Sequence, residues 1–367
     1  MSAVAILIGL FAAIFFHEAA HFLAAKAFGM KVTEFFAGFG PRLWSFRRGE
    51  TEYGVKLLLP LGGYVKITGM SPVEEIDPEE EHRTYRGSPF WQKSIVVLAG
   101  VGANFVLAFF VFYSVFTIVG IPENESRVGE IIPALSDGTP TPASMSDLQA
   151  GDLIVSVDGV PTQYWGDLLS ALRDKTGVEL EMVGDRDGVP FTTTLTPAER
   201  DGRGYVGISI PDPVTRRFGP VEAFSETAGI YFNSIEASVS AIGTLLWPPN
   251  LLDLFGDAVE GTDPGTNRPV TVVGLVGESA NIFDATGWAG IFSLIAGLNI
   301  IVALFNVLPL FPLDGGHFAI AAYEKLRGKA VDVEKLVPLA VGVIMFFVSI
   351  FLLGLWFDLF GPGLDFG

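Results

Sequence analysis

The sequence predicts an α-helical polytopic membrane protein with about four transmembrane helices, a β-hairpin loop and an inserted extracytoplasmic β-rich domain. Three observations lead there. Half of the 367 residues are hydrophobic and 17% are charged, with a mean hydropathy of +0.46, far from the balance of an ordinary soluble domain. Apolar stretches lie at about Val4–Ala25, Ser94–Ile121, Trp288–Leu313 and Val337–Phe357, each near the roughly 20 residues a helix needs to cross the hydrocarbon core. Between the second and third stands a long middle region, 122–285, polar enough to be aqueous.

The first stretch is expected to be a retained span. It has no Lys or Arg ahead of it, and its apolar run continues past His17 without a small-residue cleavage site. Lys and Arg orient the spans: residues 26–93 hold 10 of the 23, the short loop 323–336 holds 4, and the middle region holds 9 over more than twice the length. By the positive-inside tendency the two short connections face the cytoplasm, leaving both termini and the middle domain outside. The middle region sets those 9 cations against 25 acidic residues, a balance of −16 out of the chain's −18. Such a surface argues against nucleic acid as a partner. The absence of Cys excludes disulfides and thiolate metal sites.

Chemistry announces itself in the first span, which carries His17-Glu18-Ala19-Ala20-His21. Residues four apart share one helix face, so His17 and His21 can put two imidazoles on one ion while Glu18 projects beside it. The spacing suits zinc, with an adjacent carboxylate to take a proton from water. Ionisable groups at bilayer depth are costly and persist mostly where they serve a function.

The loop that follows contains strand-like residues at Thr51–Leu59, then Pro60, Gly62-Gly63 and Tyr64-Val65-Lys66-Ile67, a hairpin pattern over about 51–70. An edge strand there would bind an extended substrate by adding it to the sheet; the bland alternative is a plain cytoplasmic hairpin. After the second span, residues 122–215 carry short apolar segments with turn signals, among them Val128–Ile132, Asp152–Gly159 and Gly204–Ile210, with a helical stretch near Trp165–Asp174. Ser136–Ser146, rich in Pro, Ser and Thr, reads as a surface loop. Residues 216–285 read as an amphipathic helix from Pro220 to about Leu246, lying on the outer membrane face or packing as an ordinary helix under the β-rich module before it, and then a Pro-, Gly- and Asp-rich loop from Trp247 to Asn267.

A zinc site on the first span needs a third ligand. The third span runs into Asn306-Val-Leu-Pro309-Leu-Phe-Pro312-Leu-Asp314-Gly315-Gly316-His317. Asp314 is an isolated carboxylate after a long apolar run, the prolines break regular helix, and the glycines let the chain turn closely. His317 competes for the same role or serves as a packing histidine. His82 sits in a solvated acidic loop.

The pairing of His17-Glu-Ala-Ala-His21 with Asn306-x-x-Pro309-x-x-Pro312-Leu313-Asp314-Gly315 resembles the site-2 protease family of intramembrane metalloproteases. The resemblance extends over nearly the whole chain: Pro60–Lys66 looks like that family's membrane-associated β-loop and Phe90–Ala108 its second span, although Ala99-Gly100-Val101-Gly102-Ala103-Asn104-Phe105 lacks the Gly-Pro often found there. It implies Zn²⁺ on His17, His21 and Asp314, Glu18 as general base, and Asn306 on the substrate backbone or oxyanion. Gly62, Gly63 and Tyr64 fall in the implied substrate-binding loop. Leu148–Gly159 resembles a PDZ domain, which implies that a peptide or trimmed substrate end binds there. The resemblance further implies a bacterial inner-membrane enzyme, active toward the cytoplasmic side, that cuts single-span proteins such as anti-sigma factors in the bilayer. In domain terms, 1–121 and 286–367 form the protease core, 122–215 the PDZ-like domain, and 216–285 a helix and linker. A transporter could also carry intramembrane His, Glu and Asp, but the paired inverted repeats expected of one are not found in the sequence. A tethered scaffold would leave the histidine helix without purpose.

Overall fold

An unbroken apolar run with no internal Pro draws Ser2–Ala27 into helix α1. Its buried residues Ser2, Ile6, Gly9, Ala13, His17, His21 and Ala25 recur every three or four positions and form one inward stripe. The computed structural model describes residues 1–71, 74–135, 137–200, 202–260, 269–329 and 331–360, and they are mostly helical. The chain divides into a unit of Met1–Val119 with Gly219–Gly367 and a unit of Gly120–Phe218.

In the first unit α1 is followed by two long antiparallel strands, β1 (Val32–Arg48) and β2 (Thr51–Ile67). Both strands bend back, so β1 residues 34–37 pair on one side with 63–66 and on the other with 52–55, while 42–48 pair with 51–56. The result is a four-segment sheet with 63–67 at one edge and 42–48 at the other. Its aromatic side chains pack on α1, Phe35 against Phe15 at 5.6 Å and Phe22 at 5.3 Å between ring centroids. This corrects the expected hairpin over 51–70: the sheet begins at Val32, and the tight reversal is at Gly49-Glu50. Gly62 has φ +113° but lies within β2. Pairing on both sides of 34–37 fixes that segment more firmly than local breakers can disrupt it. Helix α2 (Phe90–Ser114) starts behind Pro89 and runs on as a π turn over Val115–Val119.

The second unit is built from β3 (Ile121–Glu123), β4 (Leu153–Val157), β5 (Val160–Pro161), α3 (Trp165–Leu172), β6 (Leu180–Arg186), β7 (Val189–Leu195), β8 (Ala198–Arg200), β9 (Arg203–Tyr205) and β10 (Val214–Arg216). Its main sheet has the order β5-β4-β6-β7, and β3 pairs with β10. Asp158-Gly159 and Asp187-Gly188 take consecutive positive φ values, 49° and 75°, 53° and 86°, as a two-residue hairpin turn requires. Val128–Ile132 and Gly204–Ile210 meet over a short irregular ladder, with Gly129 N donating to Ser209 O at 3.1 Å and Ile132 N to Gly207 O at 2.8 Å. Ile154, Leu168, Leu180 and Met182 are wholly buried in its core. Of the expected loop Ser136–Ser146, Ser136 lies outside the described residues, and Ala143–Met145 forms a 3₁₀ turn.

The chain returns to the first unit with α4 (Pro220–Leu246), α5 (Pro248–Glu260), α6 (Val272–Val307), α7 (Asp314–Arg327) and α8 (Val333–Phe360). Helix α4 does not lie apart on a surface. Tyr231 Oη donates to Phe105 O at 3.2 Å, and Ile230, Tyr231 and Ile235 pack on Ala108, Phe112, Ala296 and Ile300, in the second half of α2 and of α6. The stretch from Trp247, expected as loop, is helical over Pro248–Glu260, because Leu251, Leu254 and Ala258 fall on one face and Leu254 buries against Leu353 and Phe357; 261–267 lie outside the described residues. The third span also differs from 288–313. Helix α6 begins at Val272, breaks at Gly287 (φ 61°) and ends at Val307, since Pro309 and Pro312 cannot continue it. Four helices, Ser2–Ala27, Phe90–Val119, Val272–Val307 and Lys335–Phe360, are long and apolar enough to cross a membrane.

Candidate metal centre

Helices α1 and α7 build the centre and α2 backs it. His17 and His21 continue the buried stripe of α1, one turn apart. Asp314 is the first residue of α7, reached from α6 through the connection 308–313. A Cβ on Gly315 would sit 2.1 Å from Val307 O, and one on Gly316 would sit 2.4 Å from Phe311 N. The glycines therefore let the connection fold directly onto the first turn of α7, which fixes where Asp314 stands.

Three side-chain atoms converge. His17 Nε2 lies 3.0 Å and His21 Nε2 3.2 Å from Asp314 Oδ2, and the two nitrogens are 3.1 Å apart. Both histidines are buried, at 6% and 3% exposure. His21 Nδ1 is 2.7 Å from Val96 O; a carbonyl can only accept, so Nδ1 carries a proton, and in the neutral ring Nε2 presents a lone pair. A nitrogen lone pair and a carboxylate oxygen at this distance repel unless a proton or a cation stands between them. Tetrahedral zinc, at about 2.0–2.1 Å from each nitrogen, places its ligand atoms about 3.3 Å apart, so the trio fits such an ion. Among the described residues it is the one group of three or more His, Cys, Asp or Glu that could hold a metal.

Glu18 lies half-buried beside the pair, and its Oε2 accepts from Val65 N at 3.0 Å. Val65 pairs with Phe35 through the sheet. The N–H that reaches Glu18 belongs to the outer side of segment 63–67, which pairs with no other described strand. Gly62 is buried against Ile14, where a Cβ would come within 2.9 Å of the isoleucine side chain, and a Cβ on Gly63 would come within 2.8 Å of Phe36 O. Tyr64 turns its ring onto Phe36, and its hydroxyl accepts from Lys56 Nζ at 2.7 Å and donates to Glu34 Oε2 at 2.5 Å. The Tyr64 hydroxyl has its pKa pushed up, first by burial and then by the Glu34 carboxylate that accepts from it.

Asn306 stands half-buried in the last turn of α6 and makes no hydrogen bond among the described residues. His317 is not part of the trio; its ring meets Phe311 at 5.1 Å and Tyr85 at 6.5 Å. His82 is bonded to Glu79 O at 2.9 Å in the exposed acidic loop. A cleft of about 340 Å³ runs along the strand edge between Val65, Ile67, Met70, Phe311 and His317. A larger one of about 550 Å³ continues past Phe311 and His317 to Tyr85 and Lys93.

Sequence reasoning missed Val65, which acts through its backbone, and the α2 residues behind the histidines. A Cβ on Gly100 would sit 2.3 Å from His21 Nε2 and 2.8 Å from His17 Cε1, so only glycine admits both rings. Asn104, one turn on, is fully buried with Nδ2 3.5 Å from His17 Nδ1. The available signal was its polarity in the middle of an apolar span.

Comparison with known proteins adds a lineage. The profile of peptidase family M50 matches residues 5–351. The chain is 32% identical to zinc metalloprotease Rip1 of Mycobacterium tuberculosis (strain ATCC 25618 / H37Rv), over 94% of each chain. It is 27% identical to the regulator of sigma-E protease RseP of Escherichia coli (strain K12), covering 86% of this chain and 89% of that one. It is 29% identical to the chloroplastic membrane metalloprotease ARASP of Arabidopsis thaliana, covering 92% and 74%.

Proposed function

The chain belongs to peptidase family M50, and on that premise we propose that it cuts the membrane-spanning segments of single-span proteins, with His17, His21 and Asp314 holding zinc and Glu18 as general base. It is a zinc metalloprotease of the membrane. One observation carries the finer reading: three ligand atoms meet within 3.2 Å beside a carboxylate tied to an open strand edge.

Zinc, when bound, supplies Lewis acidity toward a peptide carbonyl and toward water. Glu18 adjoins His17 in the same turn and is placed to accept a proton from attacking water and return it to the leaving amine. A helical substrate hides its own peptide bonds, so the segment to be cut must be unwound and its freed N–H and C=O groups given partners. The outer edge of 63–67 provides such partners by strand addition. Gly62 keeps that strand close to α1 and Gly63 keeps it close to β1, Tyr64 stiffens it from the sheet side, and Asn306 holds the substrate backbone or the developing oxyanion. The Lys and Arg distribution favours a cytoplasmic-side site with both termini and Gly120–Phe218 outside, and the family resemblance favours a bacterial inner membrane. The PDZ-like run Leu148–Gly159 favours a unit that receives a peptide or trimmed substrate end. One relative is named a regulator of sigma-E protease, which supports regulated proteolysis with anti-sigma factors as candidate substrates.

The test is Glu18→Gln, assayed on a single-span reporter in vesicles. It should retain stoichiometric zinc and lose cleavage by about 10²–10⁴-fold, the usual worth of a general base. Undiminished cleavage by that variant would overturn the reading.

A further inference from the structure

Successive turns of α2 face the histidine pair: Val96 O takes the Nδ1 proton of His21 at 2.7 Å, Gly100 leaves room for both rings, and Asn104 stands against His17. His17 differs from its neighbour in one respect. Its Nε2 points at Asp314 Oδ2, 3.0 Å away, so in the metal-holding state that nitrogen offers a lone pair and the ring's single proton is on Nδ1. The group facing Nδ1 is the Asn104 Nδ2 amine at 3.5 Å, a donor set against a donor. Asn104 is 0% exposed, and its Oδ1 has no hydrogen-bond partner. A half-turn of the amide exchanges the two atoms. The orphaned oxygen then accepts from His17 Nδ1–H, and one rotation satisfies both groups.

We propose that Asn104 is a positioning residue whose amide oxygen accepts the Nδ1 proton of His17 and so holds that imidazole's Nε2 toward Asp314. It does for His17 what the Val96 carbonyl does for His21. A buried carbonyl acceptor left without a partner is costly, and Asn104 Oδ1 is such an acceptor, so the half-turn is driven by the site itself. Acceptors behind metal-binding imidazoles set tautomer and ring orientation, and their loss typically weakens the metal by about 10–100-fold.

The inference rests on the zinc reading above, and the experiment separates the two. Zinc affinity of the purified full chain is measured by chelator competition for wild type, His17→Ala, Asn104→Leu and Asn104→Asp, with folding followed by monodisperse elution and thermal unfolding. Asn104→Leu keeps the volume and loses the acceptor, so zinc should bind about 10–100-fold more weakly. Asn104→Asp keeps the acceptor and should bind within a few-fold of wild type. If Asn104→Asp does not fold, Asn104→Ser, whose hydroxyl also accepts, takes its place with the same expectation. Asn104→Leu at wild-type affinity, or the acceptor variant as weak as Leu, overturns the inference while leaving the ligand trio intact. Wild type without stoichiometric zinc, or His17→Ala with unchanged affinity, overturns both.

Discussion

The two units differ in how completely they partner their buried polar groups. In Gly120–Phe218 the polar groups taken out of water are satisfied: Ser126 Oγ donates to Tyr164 O at 2.7 Å, Thr162 Oγ1 to Ile154 O at 2.9 Å, and Asp152, 1% exposed, accepts from Arg186 twice at 2.7 Å and from Gln149 N at 2.8 Å. Asp152 is held below the usual carboxylate range: burial works against this, and the Arg186 guanidinium and the Gln149 N–H outweigh it. In the membrane unit some buried polar groups are partnered, as Thr51 Oγ1 is with Val32 O at 2.6 Å, and others are not. Every buried side-chain oxygen without a hydrogen-bond partner among the described residues lies there, including Tyr85 Oη, Asn104 Oδ1, Asn299 Oδ1 and Asp314 Oδ2. A buried polar group costs free energy unless it is partnered. Its persistence is explained by architecture in one unit and, where several converge, by chemistry in the other. Thr227 Oγ1 is as lonely as Asn104 Oδ1; convergence on the histidines is what distinguishes the site.

The sharpest way to break this comparison is Asp314→Ala. If the unsatisfied cluster exists for a metal, the variant should lose stoichiometric zinc and all detectable cleavage in the reporter assay, while hydrogen exchange within Gly120–Phe218 stays unchanged. Retained zinc would show that the cluster is packing. An intermediate effect is expected from Leu168→Ala in the core of the other unit, where the wholly buried leucine leaves a cavity. Hydrogen exchange on the full chain should show that unit destabilised by about 2–5 kcal/mol, with cleavage of a short, pre-trimmed reporter unchanged; a parallel loss of cleavage would erase the division of labour. The smallest effect concerns the surface. At the sheet's tight turn, Glu50 accepts from Lys26 at 2.8 Å and from Arg83 at 2.9 Å, and these partners, Lys26 first, hold its carboxyl below the ordinary value of 4.5. A depressed carboxyl contributes stability above its unfolded value and loses it as pH falls through the folded one. Glu50→Gln should therefore flatten the decline in thermal stability below about pH 4.5, by no more than about 1 kcal/mol for so exposed a pair. A steeper effect would mean that the turn supports the site.

How much of this could be read in the sequence depended on what kind of atom acts. His17, His21 and Asp314 announce themselves because charge-bearing side chains are expensive in an apolar run, and the structure brings their ligand atoms together. Strand β1 is concealed by Gly38, Gly40 and Pro41, which read as breakers, although the two glycines take φ of 88° and 83° and let the strand bend. The end of α6 at Val307 follows from Pro309, yet the apolar run continues to Leu313 and hydropathy alone extends the span. Helix α5 is hidden by its opening prolines, which favour a first turn as readily as a loop. Asn104 is legible only after the histidines are placed, since its significance is the ring it faces.

The contact between Glu18 and Val65 has a practical consequence for anyone mapping this protein by substitution. The donor is a main-chain N–H, so alanine at position 65 still supplies it, and a conventional alanine scan reads only the packing of the Val65 side chain on its core cluster. Only proline removes that hydrogen. Saturation mutagenesis at 65 should be read at proline by itself and not as an average.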